Sequence, residues 1–293
     1  MVLQDFTQTR IETSGAEINV RTGGEGPPLL LLHGYPQTMA MWHKIAPRLA
    51  ADFTVVLADL RGYGDSSKPP GGEHHMNYSK RAMAQDQVEV MSALGHERFF
   101  VVGHDRGARV THRMALDHGE RVLKAAVLDI APTLTMYERT DMDFAAAYYH
   151  WFFLIQPFDL PERLIGADPG YYLEKKIGAW SKVGNCFTDE ALAEYKRCFD
   201  DPATIHATCE DYRAAAGIDL DHDRADHARK VTCPLLVLWG ERGVIARCYD
   251  ALSVWGERAL NVQGRALPCG HYLAEEAPEE TLAELRAFLG APT

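Results

Sequence analysis

Five short stretches of the chain are almost continuously apolar, and each is followed at once by a polar residue or a glycine. They are Leu29–Leu32, Thr54–Ala58, Phe99–Val102, Ala125–Leu128 and Leu235–Trp239. A half-buried strand alternates apolar and polar positions, whereas a strand covered on both faces of a parallel sheet reads as an unbroken apolar run. A sixth strand is expected at Ala16–Arg21, with a turn at Gly23–Pro28. Between the runs lie stretches with helical spacing. Ser79–Leu94 is one and stops at Gly95, a residue suited to closing a helix. Gly107–His118 is another and follows the third run directly. Strands alternating with helices predict βαβ units, and so an α/β fold with a mostly parallel central sheet flanked by helices.

The alternation stops near Pro132 and resumes near Cys233–Pro234. The intervening segment is rich in aromatic residues and helix formers, with breakers at Pro157, Pro161, Pro169 and Pro202. The expectation is a helical cap at 136–224, inserted into a core made of 1–135 and 225–293. A longer core without a separate lid is the alternative. Asp219–His227 (DLDHDRADH) has the composition of a metal site but no recognised ligand spacing. It reads as a solvated polar connector, and no metal is expected.

Composition changes the picture in one respect. With 293 residues, 46% of them hydrophobic, the chain can bury a large core. Its net charge of -11 argues against a nucleic-acid partner, because phosphate binding needs a basic surface. The same charge leaves the molecule as a whole unattractive to small anions, so an anionic substrate would need a local group of cations. No apolar run approaches the roughly 20 residues that span a bilayer, and the N-terminal stretch lacks an apolar segment after a basic start. The expectation is a cytoplasmic protein, off the membrane. Cys186, Cys198, Cys209, Cys233, Cys248 and Cys269 show no CxxC spacing and are read as free thiols.

The candidate chemistry sits at the ends of the apolar runs. Val101–Val110 (VVGHDRGARV) carries Gly103, Asp105 and Gly107 as glycine-x-nucleophile-x-glycine, between a strand and a helix. Such a turn must be sharp to lift a nucleophile above a sheet, and small residues on both sides let it close. Aspartate there narrows the reaction. A serine attacking a saturated carbon would form a stable ether, whereas a carboxylate forms an ester whose own carbonyl water can attack. The substrates implied are alkyl halides or epoxides. A plain helix-capping role for Asp105 is the bland alternative. His33–Gln37 (HGYPQ) follows the first run, and there the N–H of Tyr35, with that of Arg106, is the candidate oxyanion hole. His271, in LPCGHYLAEEAPEE, is the candidate general base. The acid that orients it is Asp129 at the end of the fourth run, with Glu241 after the fifth as the alternative.

With these motifs the sequence resembles the fluoroacetate dehalogenases, a branch of the aspartate-nucleophile α/β hydrolases. HGYPQ, ADLRGYGDSSKP (Ala58–Pro69), VGHDRGARV, HRMALDH (His112–His118), the cap's HWFF and IGADP, and DYRAA (Asp211–Ala215) carry the resemblance along nearly the whole chain. It implies an α/β-hydrolase fold with an inserted helical cap, no cofactor, a homodimer, and small haloacids such as fluoroacetate as substrates. Related dehalogenases and epoxide hydrolases usually have Trp after the nucleophile; here Arg106 follows it. Arg106 and Arg109 are three apart on one helix and can offer two guanidinium forks to one substrate carboxylate. The resemblance also implies that His150, Trp151 and Tyr212 cradle the departing halide. Ala108, Gly240–Cys248 (GERGVIARC) and Tyr272–Ala274 depart from the family pattern. An epoxide hydrolase using the same aspartyl ester, and a non-catalytic small-acid receptor, remain the alternatives.

Overall fold

The computed structural model describes residues 2–290. All five apolar runs are strands, and they make the middle of an eight-stranded sheet. In chain order the strands are β1 (Thr7–Glu12), β2 (Glu17–Gly23), β3 (Pro28–Leu32), β4 (Thr54–Ala58), β5 (Phe99–His104), β6 (Val122–Leu128), β7 (Leu235–Gly240) and β8 (Val262–Leu267). Their order across the sheet is β1-β2-β4-β3-β5-β6-β7-β8. The pairs from β4 to β8 are parallel, while β1–β2 and β2–β4 are antiparallel. Leu29 to Leu32 and Val55 to Ala58 are wholly buried, as helices on both faces require. The two strands not expected from sequence, β1 and β8, are the sheet's edges, and both are partly exposed along their length.

Register brings the chemistry to one edge. Leu32 pairs with Gly103, His104 with Leu128, and Leu128 with Leu238. The carboxyl ends of β3, β5, β6 and β7 are therefore level, and the residues that follow them meet above the sheet, where open α/β sheets bind ligands.

Between β6 and β7 the described residues form helices and connecting turns only, from Thr133–Glu138 to Ile218–Ala225. Three of the prolines noted as breakers, Pro161, Pro169 and Pro202, lie in the first turns of helices. A missing N–H costs nothing there, because the first N–H groups of a helix have no internal acceptor. The segment expected as a solvated connector is instead the helix Ile218–Ala225, and its acids tie it to the core. Asp219 Oδ1 accepts the Lys80 N–H at 2.8 Å, and Asp223 and Asp226 pair with Arg113 at 2.7 and 2.6 Å. All six cysteines are free, and no described helix is long and apolar enough to cross a membrane.

Candidate active site

Asp105 joins β5 to the helix Arg106–Asp117 with φ 46° and ψ -111°, on the positive-φ side that non-glycine residues avoid. Holding a residue there costs on the order of 1–3 kcal/mol and needs reinforcement. The Asp105 N–H donates to the Leu128 carbonyl at 3.2 Å, and the Gly107 N–H to the His33 carbonyl at 2.9 Å. The elbow packs so closely on the HGYPQ loop that a Cβ on Gly107 would collide with the Leu32 and His33 carbonyls, and one on Gly34 with the Asp105 side chain. Asp105 does not cap its helix. Its Oδ1 accepts the Tyr35 N–H at 2.8 Å instead. Arg106 is the first residue of that helix, so its N–H also has no intrahelical acceptor.

His271 and Asp129 meet from opposite ends of the sequence. His271 Nδ1 donates to Asp129 Oδ2 at 2.6 Å, and Asp129 Oδ1 accepts the Gly240 N–H at 2.9 Å. Glu241, the alternative acid, is half exposed and lies beside Arg242 at 3.4 Å. The loop carrying His271 is clamped by Glu276, whose carboxylate accepts the N–H of Gly270 and of Tyr272, each at 2.9 Å. His104 Nε2 donates to the His271 carbonyl at 2.8 Å, and the His271 N–H donates to the Trp180 carbonyl at 3.1 Å. His271 Nε2 is buried and has no partner among the described residues. It is the ring nitrogen that the Asp129 hydrogen bond leaves open.

Burial pulls the His271 imidazole down, but the Asp129 hydrogen bond and the charges of Asp129 and Asp105 outweigh it, so its pKa lies above the ordinary histidine value. Burial pushes the Asp105 carboxyl up, but His271, His104, Arg109 and Arg106 reverse that and hold it below the ordinary carboxylate value. Asp105 is thus kept ionised, the state that attack by a carboxylate would require. His104, pushed down to about 3 by burial and by neighbouring His271, is a neutral donor.

Both arginines are buried, at 0% and 3% exposed, and both side chains reach the cap. The expectation of two free forks needs correction for Arg106. Its Nε and Nη2 are already engaged by Asp211, at 2.8 and 2.7 Å. Only Nη1 lacks a partner among the described residues. Arg109 has no carboxylate partner there at all. Its Nη1 donates to Thr133 Oγ1 at 2.9 Å and to the Ala131 carbonyl at 3.3 Å, its Nη2 faces the Met136 sulfur at 3.2 Å, and its Nε is unpartnered.

The helices between β6 and β7 bring aromatic rings over the site. The Arg106 guanidinium lies 4.1 Å from the Tyr212 ring centroid, and that of Arg109 4.6 Å from the Trp151 ring. His150 and Tyr212 are 5.5 Å apart between centroids, and Trp151 and Tyr212 6.5 Å. The structure therefore groups the three residues assigned to a leaving group. Tyr212 Oη and His150 Nδ1 are buried without partners among the described residues. Burial first, and the nearby cations Lys176, Arg106, His271 and Arg109 second, push the His150 imidazole well below its ordinary value. Its ring is neutral and offers one N–H.

Sequence reasoning missed the ionic cluster beneath Arg106. Asp211 also accepts the Tyr63 hydroxyl at 2.6 Å and is in contact with the Lys80 ammonium, which in turn lies 3.6 Å from Asp219. Burial pushes the Asp211 carboxyl up, but Arg106 and Lys80 outweigh it and hold it well below the ordinary range. Asp211 and Tyr63 fall inside motifs that carried the resemblance, yet nothing along the chain marks them as partners of Arg106.

A strained carboxylate elbow at the carboxyl edge of a parallel sheet, facing a His–Asp pair beneath the helices that lie between β6 and β7, defines an α/β hydrolase with an aspartate in the nucleophile position. The model of the alpha/beta hydrolase fold matches residues 27–278. The chain superimposes on a crystal structure of a protein of this fold from Nostoc sp PCC 7120 with a TM-score of 0.96 and 65% identity, over 97% of this chain and 98% of that one. It is 48% identical to a fluoroacetate dehalogenase of Burkholderia sp, over 98% of this chain and 95% of that protein. It is 34% identical to a soluble epoxide hydrolase of Corynebacterium sp. (strain C12), over 94% of each. The chain belongs to the fluoroacetate dehalogenase family of the α/β hydrolases.

Proposed function

We propose that this enzyme hydrolyses the carbon–halogen bond of haloacetates, fluoroacetate first, to glycolate and halide. One observation carries the reading: Arg109 is a buried guanidinium with no carboxylate partner among the described residues, and the one open nitrogen of Arg106 lies in the same site. An incompletely compensated buried cation costs several kcal/mol. An anionic substrate group removes that cost; a neutral epoxide does not. The similarity to a fluoroacetate dehalogenase supports the same choice.

The substrate carboxylate is held by Arg106 Nη1 and the free edge of Arg109. Its halogen faces Tyr212 Oη, the His150 N–H and the Trp151 indole N–H. Fluoride leaves poorly, so donors aimed at the growing charge lower the barrier, each worth about 3 kcal/mol. An Asp105 oxygen attacks the α-carbon opposite the halogen. A carbon–oxygen bond forms, the carbon–halogen bond breaks with its electron pair on the halide, and a glycolyl ester remains on Asp105. His271 Nε2 then takes a proton from water. The hydroxide adds to the ester carbonyl, and the Tyr35 and Arg106 N–H groups stabilise the oxyanion. Glycolate departs with the proton returned by His271, and Asp105 keeps the oxygen from water and sheds that water's second proton to become a carboxylate again.

The test is halide release from fluoro-, chloro- and bromoacetate, run beside diol formation from small epoxides. Halide release without diol is the expected result; diol formation alone would show an epoxide hydrolase. Tight haloacetate binding without either product would show a receptor. A single turnover in heavy-oxygen water should place the label on Asp105 and leave the glycolate unlabelled. Label in the first glycolate would mean that water attacks the substrate directly.

A further inference from the structure

A vestibule of about 470 Å³ opens over His271, which lines it together with Tyr148 and Trp180. Its walls carry Lys175, Lys176 and Lys182 from the end of the cap helix Pro169–Trp180 and the turn beyond it, and Arg242 and Arg247 from the segment after β7. No aspartate or glutamate lines it among the described residues. The chain has 41 acidic residues against 30 lysines and arginines, so Lys175, Lys182, Arg242 and Arg247, beside a Lys176 that burial pushes down to about 7 and leaves only partly charged at neutral pH, reverse the molecule's charge at this spot. Several exposed cations elsewhere are neutralised locally: Arg10, Arg48, Lys196 and Arg265 each touch a carboxylate. In the vestibule Arg242 alone does, at 3.4 Å from Glu241. Lys176 lies over the Tyr149 ring, 3.5 Å from its centroid, and Lys175 over Tyr171 at 5.2 Å. Lys182 Nζ donates to the Ala179 carbonyl at 2.8 Å. Arg242 and Arg247 belong to the segment whose sequence departs from the family pattern, so this part of the charge is not explained by the elbow chemistry.

A cleft lined by one sign of charge, with low-dielectric walls, focuses the field and raises the local concentration and arrival rate of the opposite ion by about 10- to 1000-fold. We infer that the vestibule is the entry guide for the substrate: its cations draw small carboxylate anions toward His271 and the buried arginines against the repulsion of an acidic molecule. The inference deepens the haloacid reading and rests on it. None of the rim cations touches the reacting atoms, so their work is done before chemistry begins.

The experiment compares wild type with the triple variant Lys175→Gln/Lys182→Gln/Arg247→Gln, all three positions exposed. A control triple, Arg48→Gln/Arg229→Gln/Arg265→Gln, removes the same net charge from faces outside the vestibule. At low ionic strength the vestibule triple should lose about tenfold or more in kcat/KM for fluoroacetate with kcat unchanged. Its rate should also lose most of its dependence on salt between about 0.01 M and about 1 M, where screening shortens from about 30 to about 3 Å. The control triple should behave like wild type. Equal kcat/KM and equal salt slopes in wild type and the vestibule triple would overturn the inference, as would an equal loss in both triples. Association of fluoroacetate followed by tryptophan fluorescence separates this from the reading beneath it. Salt-sensitive association without halide release by wild type sinks the reaction and keeps the guide; association insensitive to salt sinks the guide whatever the turnover.

Discussion

In Asp105→Asn protein, halide release from haloacetate is expected to fall to the uncatalysed background, whereas His271→Asn protein should release one halide per site and then stop. The contrast follows from which atom each residue supplies. In the proposed scheme Asp105 makes the bond that expels the halide, so without its carboxylate there is no first step. His271 in that scheme acts only afterwards, on the water that cleaves the ester, and a general base contributes about 100- to 10,000-fold to such a step. Its loss leaves the glycolyl ester in place, visible as added mass on the peptide that contains Asp105. The wild type should show a milder form of the same arrest in acid. His271 titrates above the ordinary histidine value of about 6.5 and must be neutral to accept a proton, so ester hydrolysis slows as pH falls through that pKa. Asp105, held below the ordinary carboxylate value, stays ionised over that range. A burst of halide should therefore emerge at mildly acid pH, with its amplitude rising as pH falls. Steady, burst-free turnover by His271→Asn protein would end the two-step scheme.

The parts of this site that were legible in the sequence are those set by local rules. Leu29–Leu32 and Phe99–Val102 announce buried strands because nothing polar interrupts them, and the residues after them must stand at the sheet's edge. Asp105 and Tyr35 could be placed on that basis, and His271 by its place after a glycine and ahead of the last helix. The edge strands could not. TQTRIE in β1 has mostly polar side chains facing water, and VQGRAL in β8 is broken by Gly264, so neither has the apolar signal of a central strand. The sequence favoured Asp129 and left Glu241 open, and their difference is a matter of three dimensions. Both follow a strand, but Asp129 turns at φ 52° so that one oxygen meets the Gly240 N–H and the other His271, while Glu241 turns outward. The pairing of Arg106 was hidden most deeply. Its partner Asp211 lies 105 residues away, on a helix of the cap, and the two meet only because that helix packs over the elbow.

That pairing makes Asp211 the residue whose loss should most unsettle the folded protein. Its carboxylate is shared by Arg106, Lys80 and the Tyr63 hydroxyl in a wholly buried place. Asp211→Ala leaves two cations without their common counter-charge, and breaking a buried pair from one side costs about 3–5 kcal/mol. Denaturant titration at neutral pH should show a loss of that size, and Asp211→Asn, which keeps an acceptor, a smaller one. The pH dependence has a fixed sign. A carboxyl whose folded pKa is depressed contributes its full stability above the unfolded value of about 3.9, and loses it as pH drops toward the folded pKa. The gap between wild type and Asp211→Asn should be constant near neutrality and narrow in acid. The effect on catalysis should be separable from the effect on folding. In the proposed scheme Arg106 grips the substrate carboxylate while Asp211 fixes its guanidinium, so where Asp211→Asn protein is folded, KM for haloacetate should rise more than kcat falls. An unchanged KM would mean that Asp211 holds the cap to the core and does nothing for the grip of Arg106 on the substrate.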